Sequence, residues 1–276
     1  MIPLHQFKSF FGLTWNPFLS EIPPTALYEE ESVSQFCWGV EQLVLDGGYA
    51  LVHGDPGTGK SVVMRRLQAR LAQMPELCVR TLQRPQSRLR DFYREMATLF
   101  GVNMQTSNRF GSFQNLREQW LSIIQTNLFR PVLIVDEAQE VPDEVLAEMR
   151  LLGSTDLDAR CILAVVFAGD NRLLTKFQSP IALPLYSRIR ARLSLESRPP
   201  ETMRSMLQFA LKSAGNTDLM TPGVIRALSE QHLGNPRAMM TTANTLLTAA
   251  MQREVRQIDE NLYFEVTRSQ SKKKRS

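Results

Sequence analysis

The feature that most constrains the fold of this chain is a glycine-rich loop between an apolar run and a helix-compatible segment. The loop spans residues 54–61 and reads Gly54-Asp55-Pro56-Gly57-Thr58-Gly59-Lys60-Ser61. The run before it, residues 49–52, is typical of a strand, and residues 62–67 after it are typical of a helix. Glycines are needed where a backbone must approach phosphates closely or adopt a positive φ. The pattern predicts a phosphate-binding loop between a strand and a helix.

Each part of this loop has a predicted role in binding a nucleoside triphosphate. The amide groups of the loop and the positive end of the following helix dipole favour negative charge. We therefore expect ATP to contact Gly54, Asp55, Pro56, Gly57, Thr58, Gly59, Lys60, Ser61 and Val62. Within this set, Lys60 is expected to reach the β and γ phosphates, and the Ser61 hydroxyl is expected to bind Mg²⁺.

Length, cysteine content and hydropathy narrow the class of protein. The 276 residues, 43% of them apolar, suit one α/β domain of about 200 residues with a smaller second domain. The three cysteines lie far apart, which indicates neither a disulfide framework nor a zinc site and favours a reduced compartment. The longest apolar stretch, residues 161–169, is much shorter than the roughly 20 residues of a membrane helix. We predict a cytoplasmic protein without direct membrane insertion.

A second apolar run, residues 131–135, is closed by two acids, Asp136 and Glu137. A short continuous apolar run is typical of a buried parallel strand. The carboxyl ends of such strands are where open α/β sheets bind ligands. Asp136 is therefore predicted to hold Mg²⁺, and Glu137 to act as the general base that activates water.

A third buried run, residues 162–168, is followed closely by Asp170 and Asn171. A polar side chain at this point could contact the γ-phosphate or the attacking water. Asn171 can donate a hydrogen bond to a phosphate oxygen, whereas Asp170 can do so only when protonated. The sequence leaves both residues as candidates for this catalytic position.

Three arginines alternate shortly after the predicted sheet, at positions 188, 190 and 192. On a strand their side chains would share one face. Their closeness to a nucleotide-binding sheet indicates a phosphate-facing role for one of them, such as that of an arginine finger. Salt bridges to acidic neighbours are the expected role of at least two.

The chain after residue 198 is predicted to be helical and separate from the sheet, because Pro199 and Pro200 interrupt the pattern. The last long helix is preceded by Gly234-Asn235-Pro236-Arg237. Proline suits the first turn of a helix, which would fix Arg237 near the helix N-terminus. From there a small lid could present a cation to a nucleotide.

Positive charge is concentrated in two segments, although the net charge is only +4. One is the segment 80–94, with five arginines and a single aspartate; the other is the segment 268–276, with five basic residues. Such segments suit a polyanion such as DNA, or an anionic membrane surface. The alternative is a solubilising tail and a solvated helix face.

These motifs together resemble the AAA+ ATPases, and within them the ExeA-like group with its relatives among transposition-helper ATPases. The resemblance spans residues 7–266 and rests on five motifs: Phe10-Phe11-Gly12-Leu13 with Asn16-Pro17-Phe18, the glycine-rich loop, Val135-Asp136-Glu137-Ala138-Gln139, Ser187-Arg188-Ile189, and Gly234-Asn235-Pro236-Arg237. It implies an α/β P-loop fold with a five-stranded parallel sheet of order 5-1-4-3-2, sandwiched by helices, and a small helical lid.

The resemblance also assigns roles to individual residues. Arg188 is similar to an arginine finger that acts on the ATP of a neighbouring subunit, and Arg237 to the lid arginine called sensor 2. Asn16, Pro17 and Phe18 would line the adenine pocket. ATP would be bound between the subunits of a ring or helical filament.

We predict four segments along the chain: residues 1–48 leading into the nucleotide site, an α/β ATPase domain at 49–198, a helical lid at 199–266 and a basic disordered tail at 267–276. ExeA-type secretion proteins carry a membrane span and a peptidoglycan-binding region after the ATPase, where this sequence has the basic tail, so DNA is the favoured partner. The predicted function is an ATPase that assembles on double-stranded DNA as an ATP-dependent homo-oligomer and regulates or targets a transposase or integrase. Two alternatives stay open: an ATPase that energises a cell-envelope secretion assembly, and a nucleotide-dependent scaffold with little turnover.

Overall fold

The computed structural model describes residues 7–102, 109–126, 129–155 and 160–273, with side chains as far as Arg268. Internal contacts divide the chain into two units. The sheet unit comprises Glu29–Pro56 and Lys60–Leu195, and the helical unit comprises Met1–Tyr28, Gly57–Gly59 and Glu196–Ser276.

A parallel sheet of five strands forms the centre of the sheet unit. Its strands are β1 (Gly48–Gly54), β2 (Leu77–Thr81), β3 (Arg130–Val135), β6 (Ala164–Gly169) and β7 (Ile189–Leu195), and a short antiparallel pair, β4 (Ser154–Thr155) and β5 (Arg160–Cys161), stands apart from it. The strand order is β2-β3-β6-β1-β7. This is the predicted order read from the other side, so the predicted fold is confirmed.

The sheet is buried on both faces because successive apolar side chains of its central strands enter different cores. In β1, Tyr49 and Leu51 belong to one core, and Ala50 and Val52 to the other. Helices that contribute to the first core are α4 (Leu89–Phe100), α5 (Arg109–Gln125), α6 (Asp143–Gly153), α7 (Asn171–Phe177) and α8 (Leu183–Tyr186). Helices α2 (Glu31–Asp46) and α3 (Lys60–Leu71) contribute to the second. This three-layer arrangement fixes the ends of the strands, where the candidate site lies.

The helical unit has its own apolar core. Its helices are α1 (Phe7–Phe11), α9 (Pro200–Ala214), α10 (Pro222–Gln231), α11 (Pro236–Gln252) and α12 (Glu260–Lys273). Proline stands at the start of α9, α10 and α11, where its missing N–H is not needed. At α11 the Asn235 side chain also accepts a hydrogen bond of 3.1 Å from the amide of Ala238, which caps the helix.

The contact-based boundaries differ from the predicted segments at the N-terminus and within the glycine-rich loop. The chain around Phe11, Leu13 and Phe18 joins the helical unit, because these side chains are buried in its core, whereas α2 belongs to the sheet unit. Helix α12 also continues to Lys273, through part of the predicted tail, because no glycine or proline interrupts it. The side chains of the tail beyond Arg268 lie outside the described residues.

Candidate nucleotide site

The glycine-rich loop begins where β1 ends and leads into α3. Gly57 and Gly59 have φ values of +89° and +104°, which residues with a side chain rarely adopt. The glycines at these two positions are therefore required by the path of the loop. Thr58 between them is buried, whereas Val62, in the first turn of α3, is partly exposed.

Lys60 is a buried cation, with only 8% of its surface exposed. Its Nζ donates hydrogen bonds to the backbone oxygens of Gly54, at 2.8 Å, and Asp55, at 3.1 Å. In the part of the chain that the structure describes, the ammonium pairs with no carboxylate. A buried charge without a counter-ion is unfavourable, so the position fits an anionic ligand such as a triphosphate.

Ser61 and Asp136 meet at the carboxyl edge of the sheet. The Ser61 hydroxyl donates to Asp136 Oδ2 at 3.3 Å, although the two residues lie 75 positions apart in the chain. The other carboxylate oxygen of Asp136 accepts a hydrogen bond of 2.9 Å from the amide of Glu137. A hydroxyl and a carboxylate are oxygen ligands of the kind that Mg²⁺ prefers, so this pair fits the predicted cation.

Glu137 follows Asp136 with an exposed side chain and a left-handed backbone, φ 51° and ψ 41°. Such a conformation is uncommon for a residue other than glycine and asparagine. One carboxylate oxygen of Glu137 accepts a hydrogen bond from the side-chain amide of Gln139. The predicted base is therefore held by a neighbouring side chain to which the sequence analysis assigned no role.

The two candidate residues after β6, Asp170 and Asn171, make different contacts. The Asp170 carboxylate caps α7 by accepting from the amide of Arg172 at 2.9 Å, and it also binds the Arg172 guanidinium. The hydrogen bond from that guanidinium lowers the pKa of Asp170. Asn171 instead donates from Nδ2 to Asp55 Oδ1 at 2.6 Å. The structure thus brings the Asn171 side chain into contact with the glycine-rich loop, whereas the Asp170 carboxylate is bound by Arg172.

Arg188 lies at the opposite, amino edge of the sheet. It directly precedes Ile189, which is paired with Tyr49 at the start of β1, whereas the loop follows Gly54 at the end of that strand. Five residues of strand separate the two ends, or about 17 Å. Because an arginine side chain is much shorter than this distance, Arg188 cannot reach the loop of its own chain.

The two neighbouring arginines are engaged in local contacts. Arg190 donates to the carbonyl oxygen of Gly47 at 2.5 Å. The Arg192 guanidinium lies over the Tyr186 ring, 4.2 Å from its centroid. The sequence predicts salt bridges to acidic neighbours for at least two of the three arginines. Among the described residues, these two instead contact a backbone oxygen and an aromatic ring. Arg188 donates to the Pro184 carbonyl oxygen at 2.5 Å.

Residues at the start of α11, together with Arg198, lie against Gly57 and Thr58. The Arg237 amide donates to the Gly57 oxygen at 3.3 Å, and the Arg237 side chain is exposed. A side chain at Gly57 would collide with Asn235. Arg198, which the sequence analysis did not single out, donates from Nη1 to the Thr58 oxygen at 2.6 Å. The one feature of the sequence that could have indicated a role for Arg198 is its position directly before Pro199 and Pro200.

The segment predicted to line an adenine pocket also lies in the helical unit. Asn16 Nδ2 donates to Asn244 Oδ1 at 2.8 Å, and Asn16 Oδ1 accepts from the Phe18 amide at 3.0 Å. Pro17 and Phe18 are buried. The Phe18 side chain belongs to the core of this unit, so its packing is accounted for without a ligand.

The basic segment around α4 contains arginines of two kinds. Arg80 donates to the Leu99 oxygen at 2.6 Å, and Arg94 pairs with Asp91 at 3.1 Å. Three others are exposed and have no carboxylate partner among the described residues: Arg84, Arg88 and Arg90. The backbone that carries Arg84 is held by Glu95, whose carboxylate accepts from the Arg84 amide at 3.3 Å.

A family model described as an AAA domain matches residues 45–177. This range contains the glycine-rich loop, the acids after β3 and the end of β6, in the order and geometry given above. Residues 45–177 therefore match the AAA domain family. The AAA match ends before Arg188 and before helices α9 to α12, and it includes the carboxyl-edge residues of the candidate site.

A similar protein of known family supports the ExeA-like resemblance, which is confirmed. General secretion pathway protein A of Aeromonas hydrophila is 28% identical to this chain over 255 residues. The alignment includes 90% of this chain and 45% of that protein, so the chain spans less than half the length of this relative.

Solved structures agree with the AAA+ fold. Cdc6p from Pyrobaculum aerophilum superposes with a TM-score of 0.69 at 15% identity, over 91% of this chain and 68% of that chain. The Aeropyrum pernix ORC1 protein in complex with DNA superposes with a TM-score of 0.65 at 16% identity, over 92% of this chain and 68% of that chain. The RuvB Holliday junction branch migration motor of Thermotoga maritima superposes with a TM-score of 0.59 at 12% identity, over 92% of this chain and 73% of that chain. None of the helices within the described residues is long and apolar enough to cross a membrane.

Proposed function

We propose that this AAA+ chain binds ATP with Mg²⁺ and hydrolyses it to ADP and phosphate. The observation that carries the proposal is Lys60, a buried ammonium that binds loop carbonyls and no carboxylate among the described residues. A triphosphate would supply the missing negative charge. The loop from Gly54 to Val62 would then surround the phosphates with amide groups.

We assign each residue at the carboxyl edge a separate role in hydrolysis. Ser61 and Asp136 would hold the cation, which neutralises charge on the phosphates as the bond breaks. Glu137 would accept the proton of the attacking water as general base. Asn171 would donate to a phosphate oxygen or to that water. Asp170 acts at this position through its backbone and its cap of α7, because its ionised carboxylate is an acceptor only.

We further propose that the site is completed by a second copy of the chain. Arg188 lies about 17 Å, five strand residues, from the loop of its own copy. A head-to-tail arrangement of copies would bring it to the ATP of a neighbour and would build a ring or a helical filament. Arg237, from the start of α11, is proposed as the lid cation of the same site.

Turnover of the wild-type protein and of Glu137→Gln tests the enzymatic proposal. We expect the rate of ATP hydrolysis per protein molecule to rise with protein concentration. In Glu137→Gln this rate should fall about 100-fold or more, with ATP binding retained. Glu140→Gln, an exposed neighbour paired with Arg172, is the matched control. A wild-type protein that binds ATP and assembles without measurable turnover would instead support the nucleotide-dependent scaffold.

For the biological role, we propose assembly on double-stranded DNA and regulation of a transposase or integrase. Arg84, Arg88 and Arg90 support a polyanion partner, because exposed guanidinium groups that have no counter-ion among the described residues suit phosphates. One structure of similar fold, the Aeropyrum pernix ORC1 protein, was solved in complex with DNA.

Binding to a fluorescent DNA duplex at several salt concentrations tests this role. Each phosphate contact contributes about 0.9 to the slope of log K against log salt, so replacing all three arginines by alanine should reduce the slope by about 2.7. Arg94→Ala is the control, since Arg94 is paired with Asp91. Failure of the wild-type protein to bind DNA in the presence of ATP would end the DNA proposal and leave the ATPase proposal intact.

The second candidate role is energising a cell-envelope secretion assembly. It is favoured by the 28% identity to General secretion pathway protein A across 90% of this chain. This role predicts that the protein copurifies with membrane proteins after cross-linking in its native cell, and that DNA does not change its turnover. Turnover that DNA stimulates, without membrane partners, would favour the transposition role.

A further inference from the structure

The side chain of Gln139 links the predicted base to the end of β6. Its Nε2 donates to Glu137 Oε2, and its Oε1 accepts from the backbone amide of Asp170 at 3.2 Å. Gln139 is 8% exposed, whereas Glu137 is exposed. A buried amide thus bridges an exposed carboxylate and a strand end that lies 31 residues further along the chain.

The orientation of this amide is determined by its surroundings. The Asp170 amide can only donate, so it must face the oxygen of the Gln139 side chain, and the NH₂ group must face Glu137. Gly169 permits the contact, because a Cβ at that position would come within 2.7 Å of Gln139 Oε1. The backbone of this turn is also held in place, because Lys176 Nζ donates to the backbone carbonyl oxygen of Gln139 at 2.8 Å.

We propose that Gln139 is a positioning residue for hydrolysis, a role that rests on the proposed ATPase function. An exposed glutamate samples many rotamers, and a base must be held in one geometry to act efficiently. The Gln139 amide occupies Oε2 of Glu137 and leaves the other oxygen to accept the proton of water. Because the same amide is fixed by the end of β6, a shift of Asp170 and Asn171 on binding ATP would be transmitted to the base.

Two substitutions separate the donated and accepted hydrogen bonds. Gln139→Glu retains an acceptor for the Asp170 amide but cannot donate to Glu137, and Gln139→Leu removes both bonds at similar volume. We expect kcat to fall about tenfold or more in both variants, within the range known for misplaced catalytic groups. KM and the affinity for a fluorescent ATP analogue should change by no more than about twofold. Equal melting temperatures establish that the variants are folded, and Gln139→Asn replaces any that is not.

A double-mutant cycle with Glu137→Gln tests whether Gln139 acts through the base. In the Glu137→Gln background, replacing Gln139 should lower the residual rate by less than about twofold, because the interaction is already lost. The positioning role is overturned if the variants keep kcat within twofold of wild type, or if they cost as much in the Glu137→Gln background. These outcomes leave the ATPase proposal standing as long as Glu137→Gln itself lowers turnover about 100-fold or more. A wild-type protein without turnover contradicts both proposals.

Discussion

The two edges of the parallel sheet carry different residues of the proposed site. The carboxyl edge brings together Lys60, Ser61, Asp136 and Asn171, all within contact of the loop or of one another. The amino edge carries Arg188, about 17 Å away along β1. A parallel sheet necessarily separates the two, because all its strands end at the same edge. We infer that one copy supplies the phosphate-binding half and its neighbour supplies the arginine.

The edges also differ in how their charged groups are used. At the carboxyl edge, the Lys60 ammonium is buried and contacts only backbone oxygens among the described residues. At the amino edge, Arg190 donates to the Gly47 oxygen, and Arg192, in the middle of β7, lies over the Tyr186 ring. A cluster of arginines is therefore not by itself a site, since two of these three make local structural contacts.

Removing the cation of the carboxyl edge should have the largest effect. In Lys60→Ala the loop loses the charge that balances the phosphates, so we expect ATP binding to be lost and kcat/KM to fall about 1000-fold or more. The measurements are equilibrium binding of a fluorescent ATP analogue and steady-state turnover. Lys212→Ala, on an exposed part of α9, is the control. Normal ATP binding by Lys60→Ala would remove the main support for the site.

Removing the cation of the amino edge should affect turnover alone. Arginine fingers contribute at least about 1000-fold to the rate, so Arg188→Ala is expected to lower turnover by about that factor, whereas ATP affinity at low protein concentration is unchanged. Arg192→Ala removes a guanidinium that is stacked on Tyr186 and should have a far smaller effect. Equal losses in the two variants would argue against a special role for Arg188.

Much of the carboxyl edge could be predicted because its signals are local in sequence. The glycine-rich loop and the acids after β3 each follow an apolar run that forms a buried strand. The strand order followed from the resemblance to AAA+ proteins, and the structure confirms it. Contacts between distant segments could not be predicted in this way. Asn171 meets Asp55 across 116 residues, and this pairing depends on the register of β1 and β6.

The amino edge was harder to interpret from sequence. Alternation of Arg188, Arg190 and Arg192 indicated a shared face, but not the edge at which they lie. That position depends on the pairing of Ile189 with Tyr49. The N-terminal segment was similarly ambiguous, because the hydrophobic residues Phe11, Leu13 and Phe18 fit the core of either unit until their contacts are known.

The two loop glycines should tolerate alanine to different degrees. Both have positive φ, which costs about 1–2 kcal/mol for a residue with a side chain. A side chain at Gly57 also collides with Asn235, whereas at Gly59 the nearest atom is Arg198 Nη2 at 3.9 Å. We expect Gly57→Ala to weaken ATP binding more than Gly59→Ala, as measured by titration with a fluorescent analogue. The reverse order would contradict the loop geometry.

The smallest predicted effect concerns pH and the end of β6. The pKa of Asp170 is lowered chiefly by its hydrogen bond with the Arg172 side chain. The resulting stabilisation is complete above the unfolded-state pKa, about 3.9, and is lost as the pH falls through the lower folded value. Arg172→Ala should therefore be less stable than wild type at neutral pH, and the difference should shrink below about pH 4.

Denaturant unfolding at several pH values measures this difference. Because Arg172 also pairs with Glu140, the comparison is repeated in a Glu140→Gln background. A difference in unfolding free energy that stays constant from neutral to acidic pH would mean that Asp170 is not the linked group.

Mixing two inactive variants tests the separation of the two halves most directly. Arg188→Ala retains the carboxyl edge, and Glu137→Gln retains the arginine of the amino edge. If each site takes one half from each of two neighbouring copies, an equal mixture should recover about a quarter of the wild-type turnover, although each variant alone is inactive. If both halves acted within one copy, every site would carry a defect. The mixture would then show no recovery of turnover, which would contradict a site shared between neighbouring copies.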